Sequence, residues 1–360
     1  MPSLFEPIRL GAIDAANRIL MAPLTRGRAT RTHVPVGIMA EYYAQRASAG
    51  LIISEATGIS AEGTGWPFAP GLWTEAQTEA WKPVTEAVHR AGGKIVAQLW
   101  HMGRVVHPLF TGHPPVSSSA TTAPGMAHTY EGRHAYTEAR ALALDEIPRI
   151  LDDYRHAARN AKAAGFDGVE LHAANGYLID QFLRDNANFR DDAYGGPIEN
   201  RIRLLVEVTQ ALIDVWGADR VGVRLSPNGE AQGVNDSHPE LLFPAAARAL
   251  SDLGIAFLEL REPAPDGTFG LPDRPPVHPL IRAAFDGPLV LNSDYDGDRA
   301  QAALDGGEAD AIAFGRLFLS NPDLPRRIAE KLPLTPNDIA TWYGPGTAGY
   351  TDYPAYEAAA

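Results

Sequence analysis

The chain has 360 residues, of which 45% are hydrophobic and 21% are charged, and its formal net charge is -13. This composition is that of an ordinary globular protein, and the acidic balance argues against a nucleic-acid-binding protein, because affinity for phosphates rests on basic residues. The chain contains no cysteine, which excludes disulfides, thiol nucleophiles and cysteine-ligated metal centres.

The N-terminus and the hydropathy of the chain predict a cytoplasmic protein. Residues 1–6 lack the basic region followed by an apolar stretch that marks a secretory signal. There is also no run of about 18 apolar residues, the length needed to cross a bilayer. Since neither a fixed-period repeat nor a low-complexity linker divides the sequence, residues 1–360 are expected to form one domain. A monomer and a dimer are both compatible with the sequence.

Eight short apolar or β-branched runs alternate with longer segments of helical periodicity. The helical periodicity of apolar residues is clearest at 74–91 and at 145–164. Asp145 is predicted to cap the second of these helices. Strand–helix alternation predicts a parallel sheet, and eight units fit a closed (β/α)8 TIM barrel. A doubly wound sheet is less favoured, because the first strand lacks a following glycine-rich turn. The predicted strands are 18–21, 51–54, 94–99, 168–172, 220–225, 255–260, 288–291 and 310–314.

Three segments depart from this alternation. Residues 4–17 are predicted to form a small hairpin before the first strand. Residues 101–144 form a long excursion after the third strand, and the proline-rich residues 262–279 follow the sixth. Both long segments begin at the carboxyl end of a strand, so both are expected to rise over the same mouth of the barrel. The 101–144 excursion is therefore predicted to cap that mouth.

Catalytic residues of TIM barrels lie at the carboxyl ends of the strands. Here those positions supply hydrogen-bond donors, fixed cations and aromatic rings, which suit a planar, polar ligand with a phosphate group. The loops after strands 7 and 8, the usual phosphate site of this barrel, hold Ser293-Asp294 and Gly315-Arg316. The other strand-end residues are Pro23, Thr25, Glu55, Ala56, Gln98, Trp100, His101, His172, Asn175, Tyr177, Arg224 and Asn292.

Several barrel chemistries lack their residues in this chain. No His-x-His pair is present for a metal-dependent hydrolase, and His101, His107 and His113 do not have the spacing of metal ligands. No lysine lies at the carboxyl end of a strand for a Schiff base. The remaining interpretation is that a bound cofactor carries the chemistry. Two alternatives to it stay open. One is a cofactor-free hydrolase that uses Glu170 and Asp294, and the other is a barrel that binds FMN or another phosphate ligand without turnover.

Five stretches of the sequence resemble the motifs of the Old Yellow Enzyme family. The resemblance runs from residue 4 to about residue 353, and Thr25 together with Trp100 places it with the classical ene-reductase branch. Ser293 stands where relatives often have glycine, and Trp66 replaces a tyrosine of some relatives. The matching stretches are Ala22-Pro23-Leu24-Thr25, Gln98-Leu99-Trp100, His172-Ala173-Ala174-Asn175-Gly176-Tyr177, Phe314-Gly315-Arg316 and the ion-pair-rich run 184–201.

The resemblance implies non-covalent FMN, reduced by NAD(P)H, and an electron-poor alkene as the substrate. Thr25 and Gln98 would hydrogen-bond the flavin ring, and Arg224 would stabilise negative charge at N1 and the C2 carbonyl. The remaining implied cofactor-binding residues are Pro23, Leu24, Ala56, Ser293, Asp294, Gly315 and Arg316.

The resemblance also implies the roles of the substrate-facing residues. His172 and Asn175 would hold the carbonyl or nitro oxygen of the substrate, so that its β-carbon accepts hydride from the flavin. Tyr177 would protonate the α-carbon. The implied walls of the substrate cavity are Trp66, Trp100, Phe269 and Tyr343.

Overall fold

The computed structural model describes residues 2–264, 266–267 and 270–357. Its centre is a closed barrel of eight parallel strands, in which each strand pairs with the next and the last pairs with the first. The predicted TIM barrel is confirmed, with small shifts at the ends of the strands. The strands are β1 Ile19–Met21, β2 Ile52–Ile53, β3 Ile95–Trp100, β4 Gly168–His172, β5 Val221–Leu225, β6 Phe257–Arg261, β7 Leu289–Asn292 and β8 Ala311–Phe314.

Helices follow the strands and cover the outside of the barrel. None of the helices in the described part of the chain combines the length and the apolar character needed to cross a membrane. The covering helices are α1 Gly37–Gln45, α2 Glu75–Arg90, α3 Ile147–Ala163, α4 Arg203–Trp216, α5 Pro239–Asp252, α6 His278–Ala284, α7 Gly297–Asp305 and α8 Leu324–Ala329. Shorter helices are Pro108–Thr111, Leu178–Leu183, Ile198–Arg201 and Arg316–Ser320, and 3-10 turns are Gly103–Val105, Leu144–Glu146, Ala218–Arg220 and Ile339–Thr341.

The two helices predicted most clearly differ in how they begin. Thr74 caps α2 through a capping box with Gln77, as its sequence favours. The predicted cap of α3 by Asp145 is wrong, because Asp145 lies inside a 3-10 turn and α3 begins at Ile147 without a side-chain cap. The Glu146 carboxylate turns back instead and accepts a hydrogen bond of 2.9 Å from the Ala143 N–H.

The lower half of the barrel interior is apolar and is closed by the N-terminal hairpin. This hairpin pairs Ile8–Leu10 with Ile13–Ala15, and the side chains of Leu10 and Ile13 join the interior cluster. Gly11 turns the hairpin at φ +60, where an added Cβ would lie 2.2 Å from the Asp219 carbonyl oxygen. The hairpin therefore plugs the amino end of the barrel, and the carboxyl end is left for ligands.

The 101–144 excursion has structure of its own. It contains a short parallel pair, Val116–Ser117 with Arg140–Ala141, and an antiparallel hairpin, Met126–Thr129 with Gly132–Ala135. Tyr136 from this segment packs against the cluster that contains Trp100 and Met102 at the mouth of the barrel.

Arginines from the loop after β1 and from the end of α1 attach the C-terminal segment to the barrel. Arg28 donates to the carbonyl oxygens of Trp342 at 2.7 Å and Thr341 at 3.0 Å. Arg46, which is fully buried, donates to the carbonyl oxygens of Leu319 at 2.7 Å and of Tyr350 at 3.3 Å. These contacts fix residues 341–343 beside the mouth.

We expect Leu10→Ala to lower the free energy of unfolding by about 2–5 kcal/mol, because it leaves a hole in the plugged end of the barrel. The control is Leu241→Ala on α5, where the leucine is 57% exposed and the expected change lies within about 0.5 kcal/mol. Denaturant titration followed by tryptophan fluorescence measures both. Equal destabilisation by the two substitutions would contradict the plug.

Candidate active site

A cavity of about 350 Å³ opens at the carboxyl end of the barrel, within the size range of small-molecule and cofactor sites. It brings together every predicted site residue that lies in the described part of the chain. Phe269, the remaining predicted wall residue, lies outside the described residues. The predicted residues that line the cavity are Pro23, Leu24, Thr25, Ala56, Trp66, Gln98, Trp100, His172, Asn175, Tyr177, Arg224, Ser293, Asp294, Gly315, Arg316 and Tyr343.

The cavity also has lining residues that the sequence analysis missed. Arg261 is the last residue of β6, so a predicted strand longer by one residue would have included it. Gln232 and Trp342 come from loops far from any strand end, and no local signal marks them. Arg26 directly follows Thr25, but its side chain serves the C-terminal segment through a 3.0 Å bond to the Trp342 carbonyl.

The phosphate-type loop after β7 has a backbone conformation that favours glycine. Ser293 has φ +138 and the next residue, Asp294, has φ +50, so two consecutive non-glycine residues lie in the left-handed half of φ space. Such conformations cost about 1–3 kcal/mol each and persist where the surroundings enforce them. The Asp294 carboxylate contacts the Arg316 guanidinium from the loop after β8. The loop therefore follows a glycine-type path even though it carries serine.

A polar layer forms the floor of the cavity. Arg224 donates a 2.7 Å hydrogen bond from Nη2 to the Asn292 side chain, and its Nε lies 3.5 Å from a carboxylate oxygen of Glu259. Gln98 donates a 2.7 Å hydrogen bond to Glu170. Arg224 thus both lines the cavity and takes part in a buried ion pair.

His172 is a neutral imidazole in this setting. It is 4% exposed, and burial, followed by repulsion from Arg224, lowers its pKa well below the ordinary value. Its Nδ1 faces the Ala174 N–H at 3.4 Å. A neutral ring that accepts at Nδ1 carries its proton on Nε2, which is then a hydrogen-bond donor for the cavity.

A tight turn after β4 presents Asn175 to the cavity. Asn175 at φ +57 and Gly176 at φ +77 are both left-handed, a conformation that asparagine and glycine tolerate best. The Asn175 N–H donates to the Ser226 hydroxyl and the Gly176 N–H donates to Asp180, both at 2.8 Å. Asp180 in turn pairs with Arg184 at 2.8 Å, both fully buried. The start of the 184–201 run therefore supports the site through ion pairing.

Tyr177 packs between two other predicted site residues. Its ring meets that of His172 edge-on, with centroids 4.9 Å apart, and that of Trp100 edge-on at 5.0 Å. Burial, with smaller contributions from the Tyr343 and Tyr136 hydroxyls, raises the pKa of Tyr177 far above its ordinary value. The hydroxyl is consequently protonated at neutral pH.

Aromatic side chains from three separate segments form the outer rim. The Trp66 ring lies 5.1 Å from that of Tyr343 in the C-terminal segment and 5.1 Å from that of His128 in the excursion hairpin. The excursion therefore contacts the rim of the cavity directly.

The cavity fits FMN in chemistry. Arg316 and the left-handed Ser293-Asp294 loop offer a cation and backbone groups at one end, as a phosphate requires, while Gln98 and Arg224 offer donors at the floor. The hydrolase alternative fits poorly. Glu170 is fully buried below the floor, and Asp294 contacts Arg316 at the phosphate end.

Because Ser293 occupies a glycine-type conformation, we expect Ser293→Gly to raise the melting temperature of the protein. Relief of about 1–3 kcal/mol of backbone strain exceeds the entropic cost of glycine, which is about 0.5–1 kcal/mol. The control is Ser48→Gly, an exposed position outside the left-handed region, where only the entropic cost applies and the melting temperature should fall. A decrease in both variants, measured by differential scanning calorimetry, would show that the loop is not strained at Ser293.

Comparison with known proteins agrees with the site. Residues 3–335 match the model of the NADH:flavin oxidoreductase / NADH oxidase family. A putative 12-oxophytodienoate reductase 3 of Oryza sativa subsp. japonica is 45% identical over 98% of this chain and 93% of its own length. Chanoclavine-I aldehyde reductase of Penicillium roqueforti is 44% identical over 98% of this chain and 96% of its own length.

Solved structures show the same relationship. An Old Yellow Enzyme homologue from Zymomonas mobilis is 66% identical and superimposes with a TM-score of 0.98, covering 99% of this chain and 100% of that one. Morphinone reductase in complex with tetrahydroNAD is 47% identical with a TM-score of 0.93, covering 99% and 98%. The chain therefore belongs to the Old Yellow Enzyme family and is an FMN-dependent, NAD(P)H-using ene-reductase.

Proposed function

We propose that this enzyme reduces the C=C bond of α,β-unsaturated carbonyl or nitro compounds, with His172 and Asn175 as the oxygen-binding pair and Tyr177 as the proton donor. The single observation that carries this proposal is their convergence: all three side chains line the cavity that also contains Gln98 and Arg224. The relatives whose names denote oxo compounds and an aldehyde support the choice of a conjugated oxygen function.

The oxygen-binding pair acts by polarising the substrate. The neutral His172 ring donates from Nε2 and the Asn175 amide donates from its NH2 group, so the carbonyl or nitro oxygen receives two hydrogen bonds. Negative charge that develops on this oxygen strengthens both bonds, which is the condition for lowering a reaction barrier. FMN, when bound, supplies the hydride that it takes from NAD(P)H. NAD(P)H and the alkene would occupy the cavity in turn.

Tyr177 completes the addition by supplying the proton for the α-carbon. Because burial raises its pKa, the hydroxyl keeps its proton through neutral and moderately alkaline pH. Ionisation of Tyr177 therefore should not limit the enone reaction below about pH 10, the ordinary value for tyrosine.

The residues at the floor and the phosphate end would hold FMN itself. Thr25 and Gln98 would hydrogen-bond the pyrimidine side of the ring, Arg224 would face its N1 and C2 carbonyl, and Arg316 would bind the phosphate with the Ser293-Asp294 loop. The residues that would pack or bind through backbone groups are Pro23, Leu24, Ala56 and Gly315.

The rim residues would select the substrate. Trp66, Trp100 and Tyr343 form the aromatic wall, and the role of Phe269 stays a prediction. The contact between the excursion hairpin and Trp66 supports a capping role for residues 101–144. The net charge of -13 supports small-molecule substrates over nucleic acid. A single domain spanning 1–360, a cytoplasmic location and the choice between monomer and dimer stay predictions.

Tyr177→Phe keeps the ring but removes the transferable proton. We expect flavin reduction by NAD(P)H to stay within about a few-fold of the parent rate, and reoxidation by cyclohexenone to fall by roughly 10²–10⁴, the range of general acid catalysis. The control is Tyr136→Phe, which removes a neighbouring hydroxyl that does not line the cavity. Stopped-flow absorbance of each half-reaction separates the outcomes. Equal loss in both half-reactions, or none with the enone, would exclude Tyr177 as the acid.

The oxygen-binding pair is tested with ligands that carry a permanent oxyanion. Para-substituted phenolates should bind over the oxidised flavin and give a long-wavelength charge-transfer band. His172→Ala or Asn175→Ala should weaken this binding by about 1.5–3 kcal/mol, the usual contribution of a hydrogen bond to a charged group. The matched control is His128→Ala at the rim, which should change the affinity little. Unchanged affinity in both site variants would show that the pair does not face the ligand.

A further inference from the structure

Two glutamates lie inside the barrel directly below the cavity floor. Glu170 on β4 and Glu259 on β6 are both fully buried. Their strand neighbours Val169, Leu171 and Leu258 pack outward in the cluster between barrel and helices, so the two carboxyl groups point inward. Inward side chains of alternate strands share one layer in the interior of a TIM barrel, and β4 and β6 are alternate strands. The two carboxyl groups are therefore neighbours.

Too few donors surround these carboxyl groups for both to be charged. Glu170 Oε1 accepts the 2.7 Å bond from Gln98. Among the described residues, Glu170 Oε2 and both carboxyl oxygens of Glu259 have no hydrogen-bond donor. Among the described residues, the cation that pairs with these carboxyl groups is Arg224, whose Nε lies 3.5 Å from Glu259. Two adjacent buried carboxylates with one cation are strongly disfavoured, and a shared proton relieves the conflict.

The other groups that face this layer do not change the balance. His172, above Glu170 on β4, is neutral because burial lowers its pKa. Asn292 from β7 is uncharged and is occupied by Arg224. Arg261, at the end of β6, is still a cation at pH 8, because burial and Arg224 lower its pKa only to about 10, and the carboxylate that raises this pKa is Asp294 at the phosphate end of the cavity. Burial first and then the charge of Glu259 raise the pKa of Glu170 well above its usual range.

We propose that Glu170 and Glu259 share one proton, with Glu170 as the neutral acid that donates to a charged Glu259. Glu259 is the member that carries the charge because it faces Arg224, whereas Glu170 receives an amide N–H from Gln98. The pair thereby holds the two floor residues, Gln98 and Arg224, in place. It also sets how much of the positive charge of Arg224 is left to stabilise negative charge on bound FMN. This second consequence rests on the proposed binding of FMN above Arg224.

The shared proton is detectable without any cofactor. At pH 8 the infrared spectrum of the protein freed of FMN should contain the C=O stretch of a protonated carboxylic acid that shifts in D2O and disappears in Glu170→Gln. The control is Glu79→Gln, an exposed glutamate, which should leave the spectrum unchanged. If Glu170→Gln removes no such band, Glu170 is ionised and the proposal is wrong.

The charge of the pair is counted from the two-electron potential of bound FMN at pH 8. Glutamine at position 170 mimics the neutral acid, so Glu170→Gln should leave the potential unchanged. The double variant Glu170→Gln/Glu259→Gln removes the single charge. It should raise the two-electron potential of bound FMN by about 30 mV or more. This corresponds to a change of at least tenfold, in favour of the reduced state, in the ratio of the FMN dissociation constants of the two redox states.

The two variants distinguish the possible charge states. A higher FMN potential in Glu170→Gln would mean that both carboxyl groups are charged in the parent protein. An unchanged FMN potential in the double variant would mean that neither is charged. Either result overturns the proposal. If the double variant does not fold, the infrared band and the potential of Glu170→Gln still decide the matter. Failure of the parent protein to bind FMN would overturn the proposed function but leave the infrared test of the pair intact.

Discussion

The guanidinium of Arg224 is the charge around which the site is organised. It is 6% exposed, and a buried cation requires partners, because its desolvation is costly. It has Glu259 at 3.5 Å and the Asn292 side chain at 2.7 Å. Burial, and then repulsion from this charge, lower the pKa of the nearby His172 well below its ordinary value. The fixed cation thus favours charge on the carboxyl group below it, and together with burial it favours the neutral form of the histidine beside it.

The residues proposed to act in the reaction are held in position by hydrogen bonds and ion pairs to residues outside the cavity. Asn175 lies in a left-handed turn whose N–H groups are bound by Ser226 and Asp180, and Asp180 is fixed by Arg184. The Ser293-Asp294 loop holds two left-handed residues in succession. Such supported, strained positions are typical of sites in which donors must point at a ligand before it arrives.

The rim depends on chain segments that are distant in sequence. Arg28 fixes the C-terminal residues beside the mouth by bonds to backbone carbonyls, so these contacts do not depend on the identity of the side chains that the segment carries. These bonds hold the segment that carries Tyr343 without using the Tyr343 side chain. The excursion hairpin meets the same rim through His128 and Trp66, so two segments of different origin form one entrance.

The sequence by itself determined the barrel and most of its mouth. Eight apolar runs separated by helical segments fit few architectures, and in a parallel barrel every strand end meets at one face, so one-dimensional position was enough to bring Thr25, Gln98 and Arg316 into one list. The sequence by itself did not predict the polar layer below the cavity. Glu170 and Glu259 are far apart in the chain, and only barrel closure decides that β4 and β6 place them in the same layer.

Loop residues and backbone conformations were decided by the tertiary structure in the same way. Gln232 and Trp342 reach the cavity because their loops are held by distant partners, and no periodicity marks such residues. The chain contains a serine at 293, but its sequence does not predict that φ there is +138, because that φ belongs to a loop path between β7 and the Asp294–Arg316 contact that exists only in the folded chain. The local sequence pattern therefore determined which side chains lie at each strand end. Packing between remote segments decided the protonation states of those side chains, their orientation and the enclosure of the cavity around them.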